Sequence, residues 1–437
     1  MKNNAPLVFI VMIVFTALSW YGVFSNHAND TKAYERLIAD GDGFSDKGIY
    51  IDAVNSYESA LALNAKDFAT AMKIADMYKN LNDANGLLKA CDNAMTIEPN
   101  RSEPYVFKAE YFISRAMYSE AIKVLADAKG ISDREKIDSL SLSLDSKFTE
   151  KYVSFQSIGD WRIQNRINYI AACENDKWGM TEKDGTKKIR FIYDYIGAYS
   201  EREEVVPCSF EGQYYYIDIR GNKKLVGDRE YQFLGSFGDG LAPAQFDGKY
   251  GYINSRFDEQ KFEYEFAGSF AYGTAAVKKD GKWALIDTEF NNVTNFEFDN
   301  ILLDANGFCS LYGVAVVQKG GQYFLFDVEA KKFSDTAFAG AKLAASPDGA
   351  MAVKIGDLWG FVDKEGKIVV EAQYDDAHSF SLGLAPAKYD DRWGYINNDN
   401  EFVIEAKYFD AKSFSIDGSA AVKTAANWNL IVLCKFE

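Results

Sequence analysis

The chain has 437 residues, with 48 Lys and Arg against 64 Asp and Glu, a formal charge of −16. So acidic a chain is a poor partner for nucleic acid or anionic lipid, both of which require basic patches. Aromatic residues make up 15% of it, too many for a disordered chain, and the two histidines, His27 and His378, leave little material for a two-histidine zinc site or a Ser-His-Asp triad.

Lys2 is followed by no charge until Asp30, and residues 5–24 are mostly apolar. A segment of that length, rising 1.5 Å per residue, covers a hydrocarbon core of roughly 30 Å. Trp20 and Tyr21 stand at its far end, where amphipathic rings favour the interface. Residues 1–30 are therefore expected to be an N-terminal transmembrane anchor in the cell membrane, with the bulk of the chain extracytoplasmic. A signal peptide cleaved after Ala17-Leu18-Ser19, giving a secreted protein, is the competing reading.

From about residue 34 the chain repeats with a period of 34: Ala53, Leu87 and Ala121; Tyr57, Cys91 and Leu125; Ala60, Ala94 and Ala128; Tyr50, Ala84 and Tyr118. With Leu37, Gly41 and Phe44 before them and Pro99 at a repeat end, these columns resemble three tetratricopeptide (TPR) repeats. A helix over about 134–151 is expected to cap the array, and the helical region is placed at 31–151. The resemblance implies a concave groove that binds a protein or peptide partner. It would show Glu35, Ile38, Asp42, Met72, Asp76, Lys79, Asn80, Val106, Glu110 and Ile113, a mixture of acidic and apolar groups suited to a basic or apolar partner. A spacer that binds nothing is the alternative.

The rest of the chain, 152–437, carries a second repeat. Trp178, Tyr214, Tyr250, Trp283, Tyr323, Trp359, Trp393 and Trp428 stand 33–40 residues apart, and glycine follows at 179, 251, 360 and 394. Units such as Trp359-Gly-Phe-Val-Asp-Lys-Glu-Gly-Lys-Ile-Val-Val resemble the bacterial WG repeat family. Each unit alternates with period 2, turns at Asp, Asn or Gly, and continues into a second strand, a Ser-Phe loop and a strand of small apolar residues. Seven residues before each aromatic stand Ala171, Pro207, Pro243, Ala276, Val316, Ala352, Pro386 and Ala421. Proline cannot donate to a ladder, so this strand is expected to have a free edge and to be the innermost strand of a propeller blade. The fold class is thus multidomain, α plus all-β: a TPR solenoid followed by a seven- or eight-bladed β-propeller, with a β-solenoid as the alternative. Residues 152–168 are expected to supply the strand that closes the ring on 429–436. The aromatic column is expected to pack between blades, its glycines leaving room for a neighbouring ring, rather than to stack on sugars.

The five cysteines are odd in number and form no C-x-x-C pair, so they are expected to be buried and unbridged. His378 is expected to be solvated in a polar loop. No nucleophile elbow, zincin or Walker motif is present, and the pairs Asp375-Asp376 and Asp390-Asp391 stand where the repeat needs turn residues. No catalytic residue, metal or cofactor is assigned. The expected function is a non-catalytic interaction scaffold at the cell envelope. The alternative is a carbohydrate-binding, even hydrolytic, surface protein using aromatic platforms and paired carboxylates.

Overall fold

The computed structural model describes residues 30–160, 169–224 and 229–437. The expected anchor lies outside them. Among the described residues no helix is long and apolar enough to cross a membrane. The chain divides into two compact units that meet between Lys147 and Phe148.

In the first unit, helical backbone over 30–46 (α1) is followed by α2 (Tyr50–Leu63), α3 (Phe68–Asn80), α4 (Ala84–Ile97), α5 (Glu103–Ser114), α6 (Tyr118–Asp127) and α7 (Glu135–Leu144). The period-34 columns are its packing contacts. Ala53, Leu87, Ala60, Ala94, Ala121 and Cys91 are wholly buried, where small side chains let neighbouring helices approach. Gly41 is needed for the same reason: a Cβ there would lie 2.5 Å from the ring of Tyr57. The expected cap over 134–151 is corrected to 135–144. Ile137 and Leu144 close the apolar end of the array, and from Phe148 the chain is a β-strand that belongs to the second unit.

That unit is an eight-bladed β-propeller. Eight sheets follow one another along the chain; seven are built in the order short inner strand, small apolar strand, aromatic strand, outer strand, and the fourth has the first three of these only. Blade 3 is representative, with Phe233–Leu234, Leu241–Phe246, Lys249–Asn254 and Glu259–Tyr264. Blades 1 and 2 begin at Ser157 and Tyr195, and blades 4 to 8 at Phe266, Asn300, Gly340, Asp376 and Asp410. Eight buried clusters sit between successive blades, so the apolar core is a ring of interfaces rather than one centre. Phe155, Ile158, Ile170, Ala172, Ala421 and Leu430 form the cluster between the last blade and the first, which closes the circle.

The closing strand is Phe148–Phe155, which overlaps the expected 152–168 only at 152–155 and begins four residues earlier. It pairs antiparallel with Asn427–Leu433 as the outer strand of blade 8, from Phe148 opposite Leu433 to Phe155 opposite Trp428.

The proline column also needs correction. Its strand is second from the axis, and a two-residue strand lies inside it. In all eight blades the N–H two residues after the start of the inner strand donates to the carbonyl of this column. Examples are Gly235 to Pro243 at 2.8 Å, His378 to Pro386 at 3.0 Å and Lys412 to Ala421 at 2.9 Å. The inner strand ends there. The N–H on that edge must find another acceptor, as Ala352 does in Ser379 Oγ at 3.1 Å. Proline removes that need, which is why it recurs at a position that is neither innermost nor fully free.

The Ser-Phe loops join the blades. Ser379 Oγ donates to Leu343 O (2.8 Å) and Ser413 Oγ to Ser379 O (2.7 Å), each reaching the preceding blade. Phe237, Phe270, Phe380 and Phe414 pack on Tyr216, Tyr252, Phe361 and Tyr395 of the preceding blade, with centroids 4.8–5.2 Å apart. The buried tyrosines add a donor to the same joint, such as Tyr252 Oη to Gly268 O at 3.0 Å.

The glycine after the column aromatic answers to the outer strand. A Cβ would lie 2.7 Å from Ile189 O at Gly179, 2.7 Å from Phe262 Cα at Gly251, 2.7 Å from Val370 O at Gly360 and 2.5 Å from Ile404 O at Gly394. The ladder is irregular at each of these places. A ring is among the nearest groups at Gly179 and Gly251, where Phe191 and Phe262 of the same blade's outer strand stand beside the glycine. Blades 1, 3, 6 and 7, which have the glycine, carry outer strands of 6–7 residues. Blades 2 and 5, with Tyr215 and Phe324 instead, have outer strands of two residues, and blade 4, with Ala284, has a three-stranded sheet.

Candidate functional site

In the helical unit the groove candidates separate into two sets. Ile38, Met72 and Ile113 are half-buried and pack against core clusters, and Val106 is buried. They hold helices together. Glu35, Asp76, Lys79, Asn80 and Glu110 are exposed on α1, α3 and α5. Asn80 Nδ2 donates to Asp76 O (3.0 Å), and Lys79 Nζ lies over the ring of Phe107, 4.8 Å from its centroid.

Asp42 is engaged. Lys73 Nζ contacts its Oδ1 at 2.6 Å, and Tyr57 Oη donates to the same oxygen at 2.5 Å. Lys73, then Tyr57, hold the Asp42 carboxyl below its usual range against the opposing effect of burial. Lys73 was not among the groove candidates; it follows Met72 in the repeat, and only the bridge from α3 to α1 shows that it compensates Asp42. The groove is therefore less acidic at that end than the carboxylates alone suggest.

In the propeller the column aromatics pack against other side chains. Tyr195, Tyr214, Phe233, Tyr250, Phe266 and Trp283 form a continuous series across blades 2, 3 and 4, with successive centroids 5.2–5.9 Å apart. Here the inner strand starts with an aromatic, and the residue two further on is Gly197, Gly235 or Gly268. In blades 6, 7 and 8 the arrangement is exchanged. The strand starts with Gly340, Asp376 or Asp410, and the later residue is Lys342, His378 or Lys412, whose side chain covers Trp359, Trp393 or Trp428. His378 is thus half-buried against Trp393 rather than solvated. Trp178 and Tyr323 pack against the clusters of their own blades.

The paired carboxylates are structural. Asp390 and Asp391 form a turn with φ of 50° and 62°, and Asp376 is bridged to Lys342 at 3.1 Å. The five cysteines are free and buried. Among the described residues no group of three or more His, Cys, Asp or Glu side chains is placed to hold a metal ion.

One cavity of about 180 Å³ opens where the loops of blades 2 to 5 meet. Phe237, Phe270, Phe308 and Leu311 are its apolar lining, and Tyr272, Tyr312, Arg202, Glu203 and Asp239 are among its polar groups, two acids to one base. The sequence pointed to none of these, apart from the Ser-Phe loops that supply the first two. The loop over 302–309, which carries Phe308, reaches across the ring to blade 1, where Ala305 N donates to Asp160 Oδ2 (3.1 Å) and Asn306 Nδ2 to Asp160 O (2.7 Å).

The family model described as WG containing repeat matches residues 219–250, 261–283, 359–393 and 393–428. No curated protein matches the chain. Among solved structures, the TPR2B-domain:pHsp70-complex of yeast Sti1 is 21% identical, covering 25% of this chain and 94% of that one (TM-score 0.23). The Arabidopsis OM64 TPR domain is 20% identical, covering 26% and 93% (TM-score 0.23). A eukaryotic initiation factor is 11% identical, covering 66% and 93% (TM-score 0.42). The chain joins a unit of TPR-like helices, packed through its period-34 columns, to a propeller that carries WG-repeat matches.

Proposed function

We propose that the chain is a non-catalytic interaction scaffold, held at the cell envelope by residues 5–24, with the helical groove and the propeller as its binding surfaces. The observation that carries the reading is the exposed row of Asp76, Lys79, Asn80 and Glu110 on α3 and α5, above apolar side chains already spent on packing. A row of this kind supplies specificity to a partner segment without supplying chemistry. Support for a non-catalytic role comes from Asp376, Asp390 and Asp391, which serve an ion pair and a turn, and from the two acids of the cavity, Glu203 and Asp239, which are held by Ser200 and Ser255 Oγ and by the Gly273 N–H. The carbohydrate reading loses its main support because the column aromatics cover one another or lie under Lys342, His378 and Lys412.

The test is a capture experiment with the full chain and a variant carrying Asp76→Lys and Glu110→Lys, against envelope proteins and isolated glycans in parallel. A protein retained by the parent chain and lost by the variant supports the groove. Retention of glycans alone, or equal capture by both chains, overturns the reading.

A further inference from the structure

The cavity over blades 2 to 5 is lined by aromatic rings. Phe270 and Phe308 form its floor with Leu311, all three almost wholly buried, and Phe237 stands beside them. Tyr272 is 39% exposed at the mouth, and its ring centroid lies 6.1 Å from that of Tyr312. An apolar cavity of about 150 Å³ accepts benzene, whereas sites for drug-sized ligands run from about 300 Å³ upward. At about 180 Å³ this one takes a single compact group.

The two tyrosines are not what turn chemistry selects. Each precedes a glycine, and they have φ of 51° and 55°. That region favours Asn, Asp or Gly, and the same turn of blade 3 has Asp239 at φ 51°. Blades 4 and 5 thus set rings beside the cavity where the backbone favours a short polar residue.

The charge of the lining is negative in balance, with Glu203 and Asp239 against Arg202. Arg202 is 73% exposed, and its Nε lies 3.6 Å from Glu203 Oε1, so that acid meets its charge. Asp239 Oδ2 accepts the Gly273 N–H at 2.8 Å, a neutral donor that leaves the carboxylate its charge. Both this charge and the negative faces of aromatic rings favour a cation.

The acceptors decide which cation. Glu203 already accepts from Ser200 Oγ and from Ser255 Oγ (3.1 Å), and the side chains of the floor carry no polar atom. A primary ammonium brings three N–H donors that lose water on entry and need acceptors. A quaternary ammonium brings the charge with no donor, and its trimethyl head is no larger than benzene.

We infer that this cavity binds a quaternary ammonium group, with the head on the aromatic lining and Asp239 supplying the opposite charge at the mouth. The inference goes beyond the scaffold reading. It does not rest on the helical groove, since variants at Asp76 and Glu110 leave it untouched.

The experiment is isothermal titration calorimetry of the full chain with choline, with the neutral isostere in which tert-butyl replaces trimethylammonium, and with ethanolamine. Choline binds saturably, and the other two bind at least about tenfold more weakly. Asp239→Asn keeps an oxygen for the Gly273 N–H; it weakens choline and leaves the isostere unchanged, whereas Arg202→Gln strengthens choline. Tyr272→Phe retains choline binding, and Tyr272→Ala weakens it about tenfold. No saturable binding of choline, equal binding of choline and the isostere, or an Asp239→Asn variant that binds choline as the parent does overturns the proposal. Ethanolamine bound as tightly as choline overturns the quaternary assignment. Glycerophosphocholine separates two sources of the group: binding weaker than that of choline supports a free solute, and binding as tight supports a lipid headgroup.

Discussion

The carbonyl oxygen of Ile404 passes over Gly394 so closely that a Cβ on the glycine would stand 2.5 Å from it. Ala406 N and Glu405 C lie within 2.8 Å of the same point, so the obstacle is backbone and cannot rotate away. The glycine of the repeat is thus the site where a long outer strand bends across the aromatic strand. Gly394→Ala is expected to destabilise the propeller by about 1–3 kcal/mol, measured by urea unfolding followed through tryptophan fluorescence. Gly43, on α1, has nothing within 4 Å of its would-be Cβ. Gly43→Ala there is expected to stabilise the helical unit by up to about 1 kcal/mol.

The same relationship shows how far the sequence could be read. The column from Trp178 to Trp428 revealed the eight units because periodic packing leaves periodic residues. The period-34 alanines did the same for the helices. What the glycine accommodates was not legible, because the atoms that crowd it belong to a strand about ten residues further on whose bulge has no residue signature of its own. The inner strand escaped notice because two residues such as Phe233–Leu234 show no periodicity. The cavity escaped for a different reason: Arg202, Tyr272 and Phe308 come from three blades and meet only when blades 2 to 5 assemble.

The cysteines give a direct check on the packing. Burial pushes the thiols of Cys91, Cys208 and Cys309 up to about 12. A thiol held that high is almost wholly protonated at pH 8 and is a poor nucleophile. The native chain is expected to be inert to an aromatic disulfide reagent at pH 8, and all five cysteines are expected to react once it is denatured. A stoichiometric fast reaction in the native state would contradict the arrangement.

Asp410 starts the inner strand of blade 8, and burial raises its pKa, with Asp376 acting in the same direction. The backbone of Ala411, Lys412 and Lys423 act against the shift without cancelling it. A carboxyl whose folded pKa is raised holds its proton more tightly in the folded chain than in the unfolded one. Its ionisation therefore costs stability as pH rises through the window above the ordinary value of 3.8, and costs nothing well below it. Asp410→Asn keeps an oxygen for the Ala411 N–H, which donates to Oδ1 at 2.8 Å. The variant is expected to be more stable than the parent at pH 7 and indistinguishable from it near pH 3, by urea midpoints at the two pH values. A constant difference across that range would remove the burial argument.

Closure of the ring concentrates in one strand from the opposite end of the unit. Phe155 is 1% exposed between Asn427–Leu433 and the first blade, whereas Tyr152 on the same strand is 76% exposed. Ser154 N donates to Asn429 Oδ1 at 2.9 Å, and Lys407 Nζ contacts Glu150 Oε1 at 3.0 Å, so the strand is tied to both of the last blades. Phe155→Ala is expected to cost about 3–5 kcal/mol, and Tyr152→Ala less than about 0.5 kcal/mol. Pairing Phe148–Phe155 with Asn427–Leu433 closes the longest loop in the propeller, and that entropy is recovered only after the intervening blades have formed. The cost of Phe155→Ala is therefore expected to appear almost entirely as faster unfolding, with the refolding rate unchanged. Stopped-flow measurements of both arms distinguish this from early closure, in which refolding would slow instead.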